Sequence, residues 1–241
     1  MGRNLQKGFT IIEVMLVLAI TSLMLSAVLN NSSRRVNEQH YREGVESFRD
    51  FLAGTFEDID SVKNDVLGQI KRCNSSPFAG DNTVAWRGSA ECFYSGREVT
   101  ITYDRSSGST KLTSRSVKAF IDPSGATEPQ YIAVMDAREA NLREQDIDWG
   151  VGAMQPKPHS NNGYSNYKMR IIRNPKSGAK IFQIQDSAGG AWRTPENNII
   201  FCMKNPFYND NQWQMVTVDK NAINSSGITT NNGRDSCGVN T

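Results

Sequence analysis

The sequence predicts an α+β fold. A long N-terminal helix, membrane-spanning in its first half and amphipathic in its second, packs on a β-rich globular head. Three observations predict it. Residues 9–29 read FTIIEVMLVLAITSLMLSAVL, an apolar run long enough to cross a bilayer as one helix, for which about 20 residues suffice. From Val36 to Ile70, apolar residues recur in steps of three and four. After Cys73 the composition shifts to Ser, Asn, Gly and Pro, with short alternating runs. The helix divides into 9–29 and an extension over 30–72, and the head takes 73–241.

Glu13 is the one ionisable residue in the apolar run. A charged acid costs about 2.5–3.5 kcal/mol at the centre of a membrane helix and less near its end. Its presence points to a function and a partner. A cleaved secretory signal would have a shorter apolar core, about 7–15 residues, and a small-residue cut site. Leu25-Ser26-Ala27 is a poor one. A plain signal anchor, with Arg3 and Lys7 retained inside, explains the orientation. It explains neither Glu13 nor a basic leader that ends in Gly8.

Beyond Leu29, the stripe Val36, Tyr41, Val45, Phe48, Phe51, Leu52, Phe56, Ile59, Val62, Val66, Leu67 and Ile70 predicts an amphipathic helix. Charged residues such as Glu46, Asp50, Glu57 and Lys63 fill the other face. Gly44, Gly54 and Gly68 weaken it, and a kink is expected around Asn30–Ser33. The stripe does not keep a strict seven-residue repeat, which argues against a coiled-coil stalk.

In the head, Val84–Trp86, Cys92–Tyr94, Glu98–Tyr103, Lys111–Phe120 and Tyr131–Met135 read as strands. Ala137–Asp146 is expected as a short surface helix, and Gly150–Asn166 as a loop. Tyr167–Arg173 and Lys180–Gln185 flank Asn174-Pro175-Lys176-Ser177-Gly178-Ala179, the clearest hairpin. Asn198–Met203 and Gln214–Val218 complete the strands, and the tail from Asn221 is polar. The strand clusters at 84–135 and 167–218 form two sheets or one split sheet.

The chain has 241 residues, 38% hydrophobic, with a formal net charge of +2. That gives no global electrostatic case for nucleic acid and fits one or two domains beyond the apolar run. Four cysteines, Cys73, Cys92, Cys202 and Cys237, all follow that run. No C-x-x-C exists, and His40 and His159 lie at no metal-ligand spacing from a cysteine, so no zinc is expected. An even count beyond a membrane segment favours disulfides. Of the three connectivities, we prefer Cys73–Cys92 with Cys202–Cys237, because each closes a short loop, although spacing alone does not decide. Gly-x-Ser-x-Gly, Walker and His-Glu-x-x-His motifs are absent, and no enzymatic activity is expected.

Lys7-Gly8-Phe9-Thr10-Ile11-Ile12-Glu13, followed by an unbroken apolar helix, resembles the class III signal of the type IV pilin family. That family includes major and minor pilins and the pseudopilins of type II secretion. The resemblance covers roughly residues 6–29. It implies a leader over residues 1–8, cut by a prepilin peptidase between Gly8 and Phe9. It also implies N-methylation of Phe9, assembly through an inner-membrane platform, and partnership with other pilin subunits in a helical filament. Glu13 would match the family's membrane glutamate. Glycine before the cut lets the backbone extend into a peptidase cleft at little steric cost. Glu13 lies four residues after Phe9, on the same helix face, so an axial stagger brings it to another subunit's Phe9 ammonium. Family members often carry a helix-loosening Pro or Gly in or just after the apolar run, and this chain has neither.

Two further ligand readings arise in the head. Asp146-Ile147-Asp148 and Asn209-Asp210-Asn211 offer oxygen ligands of the kind calcium takes, although such clusters commonly cap turns, and no cofactor is expected. Lys168, Arg170, Arg173, Lys176 and Lys180 concentrate charge on one hairpin beside Tyr164 and Tyr167. DNA contact through phosphates and stacking is the functional reading. Strand alternation splits the patch, and a solvated hairpin resisting edge pairing is the simpler one. The expected function is a filament subunit, a minor pilin or pseudopilin with a short cytoplasmic leader and an extracytoplasmic head. Its rivals are a minor pilin binding DNA or a surface ligand, and a membrane-anchored enzyme or sensor.

Overall fold

Helix α1 spans Ile11–Asp60, 50 residues in one run. The computed structural model describes residues 9–60, 71–73, 80–84, 92–104, 109–120, 130–133, 142–147, 151–153, 167–174, 176–185, 190–204, 213–232 and 237. Asn30–Ser33, where a kink was expected, is helical throughout. There the Ser33 hydroxyl donates back to the Leu29 carbonyl at 3.0 Å, satisfying itself on the helix's own backbone. Two compact units make up the chain, Met1–Arg42 and Glu43–Thr241.

In the first unit, the window Ile11–Leu29 is long and apolar enough to cross a membrane, with a mean hydropathy of 2.4 and none of it buried. In the second, α1 sinks Val45, Phe48, Leu52, Phe56 and Ile59 to 3% exposure or less, in the expected steps of three and four. Glu46, Asp50 and Glu57 face solvent. The predicted extension to residue 72 is corrected at its end. Lys71–Cys73 form strand β1, paired antiparallel with β2 (Gly80–Val84), so a backbone ladder overrides the helical period there. Residues 61–70 lie outside the described residues, as do Ala85 and Trp86 of the expected strand.

The main sheet contains β3 (Cys92–Asp104), β4 (Ser109–Phe120), β5 (Gln130–Ala133), β6 (Arg143–Ile147), β8 (Tyr167–Arg173) and β9 (Lys180–Gln185). Its order is β5-β4-β3-β8-β9. Strand β4 shares its outer edge between β5, at Val117–Phe120, and β6, at Thr110–Ser114. The two strands expected at Cys92–Tyr94 and Glu98–Tyr103 merge into β3, whose register shifts between Tyr94 and Gly96. A Cβ on Gly96 would lie 2.0 Å from the Ile171 carbonyl oxygen, so this irregularity needs glycine.

A second sheet runs β12-β11-β10-β7, where β7 is Gly152–Ala153, β10 Ile199–Lys204, β11 Trp213–Val218 and β12 Ile228–Asn232. There are thus separate sheets, but the division falls inside the second strand cluster, between β9 and β10. The helix expected at Ala137–Asp146 is corrected, because Arg143–Ile147 is strand β6. Its alternate residues face α1: Arg143 lies over the Phe51 ring at 5.1 Å, Gln145 donates to Ser47, and Ile147 is buried. Period two wins there because the segment has no helical apolar face. The expected loop after Gly150 contains β7, and the tail contains a 3-10 turn, Ser225–Gly227, followed by β12.

The core joins α1 to both sheets. Phe201 of β10 meets Phe48 edge-on at 5.3 Å and Tyr167 at 5.7 Å, while Phe56 meets Phe182 at 5.8 Å. Arg97 of β3, only 2% exposed, sits 3.7 Å from Asp58 near the end of α1 and donates to Ser114 Oγ at 3.1 Å. It brings a cation to a helix end that has no basic residue in its own last turn.

Candidate processing and assembly site

The N-terminus of α1 is built by Thr10. Its Oγ1 accepts the Glu13 N–H at 3.3 Å, and its carbonyl accepts the Val14 N–H at 3.2 Å. Thr10 is therefore the N-cap and Glu13 the third helical residue, the spacing of a capping box. The Ser/Thr-x-x-Glu signature was present in the sequence, although attention to the apolar run passes over it. The acid also sits in the first turn, where the helix dipole favours negative charge. Phe9, just outside the cap, is 80% exposed. Gly8 lies outside the described residues. A chain opened between Gly8 and Phe9 would thus carry an ammonium one residue before the cap, with a carboxylate one turn along.

Behind this cap the apolar helix faces outward, and Thr21, Ser22 and Ser26 fold their hydroxyls onto carbonyls of the preceding turn at 2.7–3.0 Å. These three hydroxyls are thereby satisfied internally, as a lipid or helix-packed environment requires.

Residues 3–29 match the family model of the prokaryotic N-terminal methylation motif. This is the class III prepilin signal of type IV pilin-like proteins. The prepilin signal covers the cap, Glu13 and the whole apolar window of α1, and stops where the amphipathic half begins. Comparisons with curated proteins and with solved structures find no match.

In the head, the hairpin turn is set by Asn174, whose side-chain oxygen accepts the Lys176 and Ser177 N–H groups at 2.9 and 3.3 Å, and by Gly178 at φ 71°. The five basic residues do not form one surface. Arg170 is corrected as a surface contact, since it is 7% exposed. Its Nε donates to Gln183 at 2.8 Å and its Nη1 to the Tyr131 carbonyl at 3.3 Å. Its guanidinium stacks 4.1 Å from the Trp192 ring. Burial lowers its pKa to about 10, against the pull of Glu98 and Tyr131. Lys168 lies on the same strand face, Arg173 on the opposite one, and Lys176 is exposed in the turn. Lys180 Nζ donates to the Ile223 carbonyl at 2.9 Å.

Cross-strand register places Arg115, Glu98, Arg170 and Gln183 in one row across four strands. Glu98 is 6% exposed, and burial raises its pKa while Lys168, Arg115 and Arg170 oppose the shift. In this row Glu98 and Arg170 are buried and Arg115 and Gln183 half-buried, an arrangement invisible to residue spacing because it is assembled from strands far apart in sequence.

Cys202 and Cys237 form a disulfide and pack with Trp213 in a small apolar cluster bordered by Ile200 and Met215. The side chains of Cys73 and Cys92 lie outside the described residues, as do Asp148 and residues 209–211. Among the described residues, no three His, Cys, Asp or Glu side chains converge.

Proposed function

We propose that the chain is a structural subunit, a minor pilin or pseudopilin, of a type IV pilus or type II secretion-like filament. The observation that carries this reading is a prepilin signal at residues 3–29 that covers a helix window, long and apolar enough to cross a membrane, none of which is buried among the described residues. Such a surface calls for lipid first and other helices afterwards. A prepilin peptidase removes residues 1–8, Phe9 is methylated, and the inner-membrane platform hands the subunit to the filament. Before extraction, the head lies outside the membrane and the leader inside. Glu13 then meets the Phe9 ammonium of a neighbour. Two groups that are each costly in an apolar core become a pair, and that pair fixes the stagger. The work is assembly rather than catalysis.

Binding of DNA through the β8–β9 hairpin is less well supported, because Arg170 is committed to Trp192 and Gln183.

The test is Glu13→Ala in cells that assemble the filament. Losing one partner of a buried pair costs about 3–5 kcal/mol. Membrane insertion should be unchanged, while the mutant's share of the filament falls by well over an order of magnitude against wild type. Equal incorporation of the two forms would refute the pairing.

A further inference from the structure

Phe9 and Thr10 are the described residues before α1, which begins at Ile11. A helix start leaves its first N–H groups without carbonyls from a preceding turn. The Glu13 N–H would take the Phe9 carbonyl if the helix ran one turn further upstream. It takes Thr10 Oγ1 instead, at 3.3 Å. The Thr10 carbonyl then accepts the Val14 N–H at 3.2 Å, the first bond of the regular ladder. The Thr10 hydroxyl thus stands in for the Phe9 carbonyl, and the ladder closes without it.

A second feature acts at the same place. Phe9 lines one hollow with Glu13, Val14, Val17 and Leu18. Phe9 is the residue before the cap and Val14 the fourth within the helix. These are the two positions of a hydrophobic staple, which sets the angle at which the chain enters a helix.

We propose that Thr10 is a positioning residue for leader removal: its hydroxyl stops α1 at Ile11 and so keeps the Gly8–Phe9 bond out of the helix, in reach of the peptidase. The proposal rests on the prepilin reading and adds to it the side chain that sets the shape of the substrate. In water, N–H groups freed by loss of a cap turn to solvent. In lipid they need an acceptor from the chain itself. With the Thr10 hydroxyl gone, the acceptors within reach are carbonyls one turn upstream, Phe9 for the Glu13 N–H and Gly8 for the Ile12 N–H. The Gly8 carbonyl is the group that hydrolysis attacks. Water adds its oxygen there and the C–N bond to Phe9 breaks. Gly8 leaves as a carboxylate, and the Phe9 nitrogen takes up the proton as an ammonium. A carbonyl tied into a helix must be unwound first, so only the unwound fraction of the chain binds the peptidase productively.

The test follows leader removal from the full chain in phospholipid vesicles that also hold a prepilin peptidase, read as the mass of the product. Thr10→Ala should raise KM about three- to tenfold with kcat unchanged, since loss of a Thr cap shifts a helix start by that order. Thr10→Ser restores a capping hydroxyl and should return KM to within about twofold of wild type. Removal from Thr10→Ala at the wild-type rate or faster, a fall in kcat alone, or a Thr10→Ser chain as slow as Thr10→Ala would overturn the role of the cap and leave the prepilin reading standing. A wild-type chain left uncut between Gly8 and Phe9 would overturn both.

Discussion

Gly96 and Glu98 sit two residues apart on β3, and each carries a constraint of its own. Gly96→Ala would drive a Cβ to 2.0 Å from backbone of β8, which cannot swing away as a side chain could. Overpacking costs about 1–3 kcal/mol, and we expect the upper end, read as a lowered denaturant midpoint at unchanged slope. Glu98 has a raised folded-state pKa. Its contribution is therefore fully present below the unfolded value of about 4.3 and is lost as pH rises through the folded value. Thermal unfolding from neutral pH down to that region should show wild type gaining on Glu98→Gln as pH falls. A constant difference would show that the carboxyl titrates alike in both states. Arg170, whose folded pKa remains far above neutrality, adds nothing to that window.

At the scale of elements, α1 was legible almost residue by residue. The apolar positions between Val45 and Ile59 that recur in the sequence are the ones the core buries, because helical period and burial are the same fact seen twice. Strands β8 and β9 were legible with their turn, since Asn174 and Gly178 act through their own local chemistry. Strand β6 was not. Five residues with mixed charges hold no period that outranks a helix, and their alternation has meaning only beside Ser47 and Phe51. The Cys202–Cys237 bond ties the tail to β10 and closes a loop of 35 residues' separation. By loop entropy, Cys237→Ser should cost about 3–4 kcal/mol. It should also release Trp213 from its apolar cluster, seen as a red-shifted emission and an earlier denaturant midpoint. An unshifted midpoint would assign the stability of that sheet to Phe201 and its neighbours alone.

The whole molecule divides into a part readable from local pattern and a part that is not. The N-terminal stretch is legible because Gly8, Phe9, Thr10 and Glu13 lie within six consecutive residues of the sequence. The head is specified by pairings between distant strands. The row of Arg115, Glu98, Arg170 and Gln183 exists only once β4, β3, β8 and β9 lie side by side. For that reason Arg170, one of five cations on a hairpin in the sequence, is buried against Trp192 and Gln183 in the structure. The central claim lies at the other end of the chain, where a prepilin signal leads into an apolar helix window that is exposed among the described residues. The measurement that tests it most directly is the intact mass and N-terminal sequence of the chain isolated from its native membranes or filaments. The account predicts a chain that begins at Phe9 and carries one added methyl group on its N-terminal nitrogen; a chain that still begins with Met1–Gly8, or one that begins elsewhere unmethylated, would contradict it.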